Sequence, residues 1–82
     1  MIDSKYIKKI EDIFKPEYYS IYRIYDLTDS YLFAIKRNDA KDSVIMDPYY
    51  TINKQSLEIK GFLPHLRWEE FELAKKCPVK WR

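Results

Sequence analysis

The chain has 82 residues, the size of one small domain, of which 46% are hydrophobic and 17% aromatic. This composition excludes wholesale disorder. A net charge of +2, from 15 basic and 13 acidic residues, is far from the basic stripe of a dedicated nucleic-acid binder. We therefore treat residues 1–82 as a single globular domain.

Cysteine and glycine usage exclude several chemistries. Cys77 is the only cysteine, so neither an intramolecular disulfide nor a thiolate metal cluster can form within one chain. Gly61 is the only glycine, which excludes the glycine-rich phosphate loops of nucleotide-binding proteins. The N-terminus lacks the apolar stretch of a signal peptide, and no apolar run approaches the ~20 residues that span a bilayer. We expect a soluble, cytoplasmic protein without cofactor or metal.

Residues 3–15 are predicted to form a helix. Asp3 or Ser4 can cap its first turn, and Pro16 ends it. Its apolar residues follow the spacing of one helical stripe: Tyr6, Ile7, Ile10, Ile13 and Phe14. The opposite face is charged, which is typical of a helix with one side in water.

Residues 18–27 and 31–37 are predicted to be two strands around the polar turn 28–30. Alternate residues of the first strand form two sets: Tyr19, Ile21, Arg23, Tyr25 and Leu27, and Tyr18, Ser20, Tyr22, Ile24 and Asp26. Neither set is cleanly polar. We therefore expect either that both faces of this strand are partly covered or that one face meets a partner.

A second hairpin is predicted over residues 46–62. Residues 44–46 lead into it, and two aromatic and β-branched runs flank the polar turn 53–56. A C-terminal helix is predicted from Leu66 to Lys76, with its acids early and its lysines late, as the helix dipole favours. Pro78 stops this helix, and Trp81 in the tail is expected to pack back on the domain.

These elements define an α+β domain: an N-terminal helix, an antiparallel meander of three to four strands and a C-terminal helix. We expect the helices on one face of the sheet, with the other face at least partly open. The predicted shared core of helices and sheet contains Phe14, Phe33, Ile52 and Phe71.

Catalytic groups are sparse. His65 is the only histidine, and it lies about 18 Å from Cys77 if the span between them is helical, which disfavours a nucleophile–base pair. A metal-independent ribonuclease would need a base, an acid and a cation, and five candidates fall near one sheet end: His65, Tyr50, Glu58, Lys60 and Arg67. No metal-ligand spacing is recognisable. We expect a protein that is not an enzyme.

The segment from Asp47 to Pro64 follows a pattern that begins with an acid, a proline and an aromatic residue, here Asp47-Pro48-Tyr49. After two variable residues come a hydrophobic residue, Asp or Asn, Lys, any residue, and Ser or Thr, here Ile52 to Ser56. The pattern closes with Phe-x-Pro, here Phe62-Leu63-Pro64. With the strand before it, this stretch of residues 22–64 resembles small immunity-protein-like domains encoded beside secreted bacterial toxins. Ser56 and Leu57 stand where that pattern usually has a glycine. The resemblance implies a non-enzymatic cytosolic protein that neutralises one partner by covering its surface.

Two functional hypotheses follow. The first is a protein-binding module, whose partner could be a cognate toxin and whose aromatic anchors would be Tyr22, Tyr25, Tyr31, Tyr49 and Tyr50. The alternative is an RNA-contacting protein or toxin nuclease that uses the basic second half: Lys60, Arg67, Lys75, Lys76, Lys80 and Arg82. We further expect a homodimer with Tyr22 or Tyr25 in the interface, because the first strand has few charges to protect its edge.

Overall fold

A computed structural model describes residues 2–38 and 48–81 of the chain. Its helices and strands are α1 (Ser4–Ile13), β1 (Tyr19–Asp26), β2 (Ser30–Arg37), β3 (Tyr49–Asn53), β4 (Ile59–Phe62) and α2 (Trp68–Lys75). The strands form one antiparallel sheet in the order β1-β2-β3-β4. This architecture confirms the predicted α+β class and the meander with a helix at each end. The predicted lead-in at residues 44–46 and the hairpin's first two residues, 46–47, lie outside the described residues.

The N-terminal helix begins within one residue of its predicted start and ends at Ile13, two residues before its predicted end. The Asp3 side chain accepts a hydrogen bond of 3.0 Å from the Lys5 backbone N–H, which caps the first turn. Tyr6 and Ile10 are buried, and Ile7 and Phe14 pack beside them. Ile13, also assigned to the apolar stripe, is 57% exposed.

A β-bulge in β1 explains why neither alternating set of this strand is polar. The register changes from Ile21 opposite Ile35 to Arg23 opposite Ala34, so Tyr22 is the extra residue. One extra residue reverses the alternation, and Ile21 and Ile24 therefore both reach the same buried cluster. A regular strand would have turned them to opposite faces.

The two helices lie on opposite faces of the sheet, contrary to the predicted arrangement on one face. On the α1 face, Ile10 packs with Phe33 and Ile52, while on the α2 face Ala74 packs with Leu32. The β2 residues from Leu32 to Ile35 are all buried, because their side chains alternate between two faces and each face is covered by a helix.

The predicted shared core is therefore divided in two. Phe33, Ile52 and the half-buried Phe14 belong to the α1 face, and Phe71 belongs to the α2 face. Phe71 packs with Phe62 and Tyr49 there.

The C-terminal tail pairs with the outer edge of β1. The Asp26 N–H donates to the Cys77 carbonyl at 2.9 Å, and the Val79 N–H donates to the Ile24 carbonyl at 2.8 Å. Val79 and Trp81 then pack against the α1-face core, which confirms that Trp81 packs back. A homodimer through the Tyr25 end of this edge would have to displace the tail; dimerisation stays a prediction.

The β3–β4 turn is organised by one side chain. The Asn53 Oδ1 atom accepts hydrogen bonds from the backbone N–H groups of Gln55 and Ser56, at 2.8 and 2.9 Å. Leu57 follows with a φ of 62°, a left-handed conformation that costs an L-residue roughly 1–2 kcal/mol. Its half-buried side chain packs against the α1-face core, which offsets part of that cost.

We expect replacement of Asn53 by alanine to lower the free energy of unfolding by about 1–2 kcal/mol, because two backbone N–H groups lose their acceptor. Urea denaturation followed by circular dichroism measures this loss. Gln55→Ala is the matched control, since Gln55 is exposed in the same turn. Equal stability of the two variants would contradict the role assigned to Asn53.

Candidate functional site

The tyrosines predicted to bind a partner are distributed over both faces of the sheet. Tyr31 and Tyr50 lie on the α1 face, half-buried. The Tyr31 ring meets the Tyr6 ring at 5.0 Å between centroids, and the Tyr50 ring meets the Phe14 ring at 4.5 Å. These aromatic pairs join α1 to the sheet.

The other three predicted anchors lie elsewhere. Tyr25 and Tyr49 are half-buried on the α2 face, where the Tyr49 ring meets Phe71 edge-on at 5.1 Å. Tyr22, the extra residue of the bulge, is exposed. The five tyrosines therefore do not form a single open face, and their contact with a partner stays a prediction.

Among residues 48–81, the most exposed apolar side chains lie within eleven positions around α2. Leu63, Leu66, Trp68 and Leu73 are 54, 71, 58 and 62% exposed, and we call them the α2 apolar surface. Phe71 and Ala74 turn toward the sheet, which leaves Trp68 and Leu73 outside. The sequence signal was a short helix with apolar residues on several sides. Sequence reasoning assigned only Phe71 of this helix to the core and did not identify the exposed surface.

An apolar groove continues from the α2 apolar surface along β4. It has a volume of about 440 Å³ and is lined by Pro48, Tyr49, Tyr50, Gly61, Phe62, Leu63, Pro64 and His65. Gly61 is exposed, and an added Cβ there would meet no atom within 4 Å. Leu63 belongs to both features, so the exposed apolar area is continuous at this end of the domain.

A second concave feature, the polar cavity, opens on the α2 face where α2 does not cover the sheet. Ser30, Thr51 and Asn53 form its floor, and Asp29, Glu58, Lys60 and Arg67 surround it. Its volume is about 180 Å³. Sequence reasoning had grouped Glu58, Lys60 and Arg67, but not the floor, whose residues come from strands far apart in the chain.

Arg67 is held beside this cavity by two contacts. Its Nε atom donates to the Glu70 Oε1 atom at 2.9 Å, and Nη2 forms an ion pair with Oε2. Its guanidinium carbon lies 4.7 Å from the centre of the Phe62 ring. The hydrogen bond to Glu70 raises the pKa of Arg67 and lowers the pKa of the Glu70 carboxyl, while the Asp29 charge adds a smaller upward effect on Arg67.

The five residues of the predicted ribonuclease set are divided between these features. Glu58, Lys60 and Arg67 surround the polar cavity, whereas His65 and Tyr50 line the apolar groove. Cys77 lines a further depression beside Asp26. The structure therefore brings together an acid and two cations but not the histidine.

The basic residues of the RNA hypothesis lie in several places. Lys60 and Arg67 share the polar cavity, while Lys76 and Lys80 line two other depressions. The Lys75 ammonium lies 5.0 Å from the Phe71 ring centre and 3.4 Å from the Glu72 carboxylate. Arg82 lies outside the described residues, and contact with RNA stays a prediction.

Among residues 2–38 and 48–81, no group of three or more His, Cys, Asp or Glu residues is placed to hold a metal ion. The helices in the same part of the chain are too short or too polar to cross a membrane.

The fold and these surfaces define a small α+β domain: a four-stranded antiparallel sheet between two helices, with the apolar groove and the polar cavity among its concave features. Comparison with known proteins finds no matching family model, no matching curated protein and no matching solved structure. The resemblance to immunity-protein-like domains therefore stays a prediction.

Proposed function

We propose that this chain is a non-catalytic protein-binding module, of the immunity-protein or antitoxin kind, that covers part of a partner protein with its α2 apolar surface. The observation that carries the proposal is the exposure of Leu63, Leu66, Trp68 and Leu73 within one short segment. Several exposed apolar side chains in one segment are typical of protein contact sites, and their distribution around α2 gives the partner more than one side of the helix to contact.

The composition of this surface supports a protein partner. Trp68 offers a large aromatic contact area, and tryptophan is among the residues that most often dominate binding energy. Charged residues stand around the apolar ones: Arg67 with Glu70, and Lys75 with Glu72. An apolar centre with a polar rim is the usual organisation of such interfaces.

The adjoining groove supports the same proposal. Its apolar walls, which include Phe62 and Pro64, can receive a side chain of the partner. Tyr49 connects the two features, because it lines the groove and its ring contacts Phe71 of α2. In this proposal Tyr49 is an anchor at the border of the contact area, whereas Tyr31 and Tyr50 chiefly hold α1 on the sheet.

The test is site-specific photo-crosslinking in the native cell. A photoreactive amino acid at position 73 should give one discrete protein adduct, because the Leu73 side chain is exposed on α2. The same substitution at position 13 is the matched control, since Ile13 is a similarly exposed apolar residue on α1. We expect no adduct from position 13.

A second variant tests the energetic contribution of the surface. Trp68→Glu should reduce co-purification of the crosslinked protein by at least about tenfold, because a charge replaces an aromatic contact, while Ile13→Glu should have no effect. Absence of an adduct at position 73, or equal adducts at both positions, would contradict the proposal. Growth arrest on induced expression of the chain would instead favour the nuclease alternative.

A further inference from the structure

We propose that the polar cavity binds a small zwitterion, a molecule with one ammonium and one carboxylate group such as a free amino acid. The site shares no residue with the four of the α2 apolar surface, and Arg67 lies at the border between them. It is formed by floor residues from β2 and β3 and by charged residues that flank them.

The floor is polar although it belongs to the interior of the α2 face. Ser30 and Thr51 are only 9 and 8% exposed, whereas Leu32 and Phe62, further along on the same face, form its apolar core. Thr51 lines the cavity, and its hydroxyl makes no hydrogen bond to another described residue. The residue as a whole is largely buried, but its hydroxyl is open to the cavity and can therefore bond to a ligand in place of water.

The charged residues at the cavity are attached at different levels along the strand direction. Glu58 lies level with Asn53 and Ser30, because the Asn53 N–H donates to the Glu58 carbonyl at 2.9 Å and Asn53 pairs with Ser30. Lys60 lies level with Thr51, two residues further along β4, which corresponds to about 7 Å. The Glu58 side chain is therefore attached at one end of the cavity, which we call the negative end. The Lys60 side chain is attached at the other, which we call the positive end, and the two side chains meet in an ion pair of 3.4 Å.

Two further charged residues strengthen these ends. Asp29 directly precedes Ser30, the residue that lies level with Glu58. Arg67 lies over the ring of Phe62, which is two residues beyond Lys60 in β4. The charges of two carboxylates and two cations sum to zero. A ligand with only a negative charge would be repelled by Asp29 and Glu58, and a ligand with only a positive charge would be repelled by Lys60 and Arg67. A ligand that carries both charges satisfies both ends.

Donors remain available for such a ligand. The Arg67–Glu70 pair uses Nε and Nη2, which leaves the Nη1 hydrogens of Arg67 for a carboxylate. The Lys60–Glu58 pair is 3.4 Å long between side chains that are 72 and 61% exposed, and exposed pairs of this kind are weak enough to rearrange. The ligand carboxylate would accept from Arg67, Lys60 and the Thr51 hydroxyl, and its ammonium would donate to Asp29 and Glu58.

The volume restricts the ligand to a small molecule. A cavity of about 180 Å³ is below the ~300–1,000 Å³ of sites that hold drug-sized ligands. The probes are therefore glycine, β-alanine and γ-aminobutyrate, which differ in the separation of their charges, with acetate and methylammonium as single-charge controls.

The test is titration of the ¹⁵N-labelled chain by two-dimensional NMR, with each probe added to about 50 mM so that millimolar affinity is detected. We expect at least one zwitterion to cause saturable shifts at Ser30, Thr51 and Lys60. Thr51→Val should weaken that binding about tenfold, because it removes one hydroxyl from a charged ligand. Thr28→Val, the same change at an exposed threonine outside the cavity, should bind like the wild type.

Lys60→Gln adds a second measurement at a largely exposed side chain, so that a folding defect in Thr51→Val does not decide the result. It should also weaken zwitterion binding. Three results would overturn the proposal: no saturable shift with any zwitterion, equal affinity for acetate or methylammonium alone, or unchanged affinity in both cavity variants.

Discussion

Replacing Phe33 with alanine should remove most of the stability of this domain. Phe33 is fully buried in β2, where it lies opposite Ile24 of β1 and Tyr50 of β3. Removing a buried phenylalanine costs roughly 3–5 kcal/mol, because the lost transfer free energy adds to that of the cavity left behind. A domain of this size has a total stability near the lower end of about 5–15 kcal/mol.

Thermal and urea denaturation followed by circular dichroism measure this loss. Phe71→Ala should cost less, because Phe71 is only half-buried on the α2 face. Tyr18→Ala is the control, since Tyr18 is exposed and its replacement should change stability by no more than about 0.5 kcal/mol. A Phe33→Ala variant that melts within a degree or two of the wild type would show that this residue is not in the core.

The second large effect concerns the C-terminal tail. A chain ending at Lys76 should lose about 3 kcal/mol of stability and should self-associate. It loses the backbone hydrogen bonds to Asp26 and Ile24, together with the packing of Val79 and Trp81 on the α1-face core. The uncovered edge of β1 then presents backbone donors and acceptors that can pair with another chain.

A full-length control separates these two contributions. Val79→Ala combined with Trp81→Ala removes the packing but keeps the backbone hydrogen bonds to β1. This variant should be destabilised without additional self-association. Sedimentation equilibrium at micromolar concentration and urea denaturation distinguish the variants. If the truncated chain were as stable and as little associated as the full chain, the tail would have no role in covering the edge.

The local signals of the sequence predicted the elements well. The N-terminal helix was expected over residues 3–15 and runs from Ser4 to Ile13, and the first strand was expected over 18–27 and runs from Tyr19 to Asp26. Such elements depend on caps, prolines and apolar spacing within a few residues, and these are visible in the chain itself.

The candidate sites were predicted only in part. Lys60 and Arg67 were expected together because they flank the turn into α2, and the structure places both at the polar cavity. Ser30 and Thr51 were missed, because a cavity floor built from two strands depends on their register. The exposure of Trp68 and Leu73 was missed for a similar reason: a helical pattern does not specify which flank meets the sheet.

The sequence by itself determined the α+β class, the two hairpins, the helix limits to within two residues and the absence of glycine-rich phosphate loops. Only the tertiary structure decided that the helices cover opposite faces, that a bulge at Tyr22 brings Ile21 and Ile24 to one core, and that the tail closes the edge of β1. The physical reason is the range of the interactions. Periodicity and capping act between near neighbours, whereas the face that an element covers depends on contacts between residues far apart in the chain.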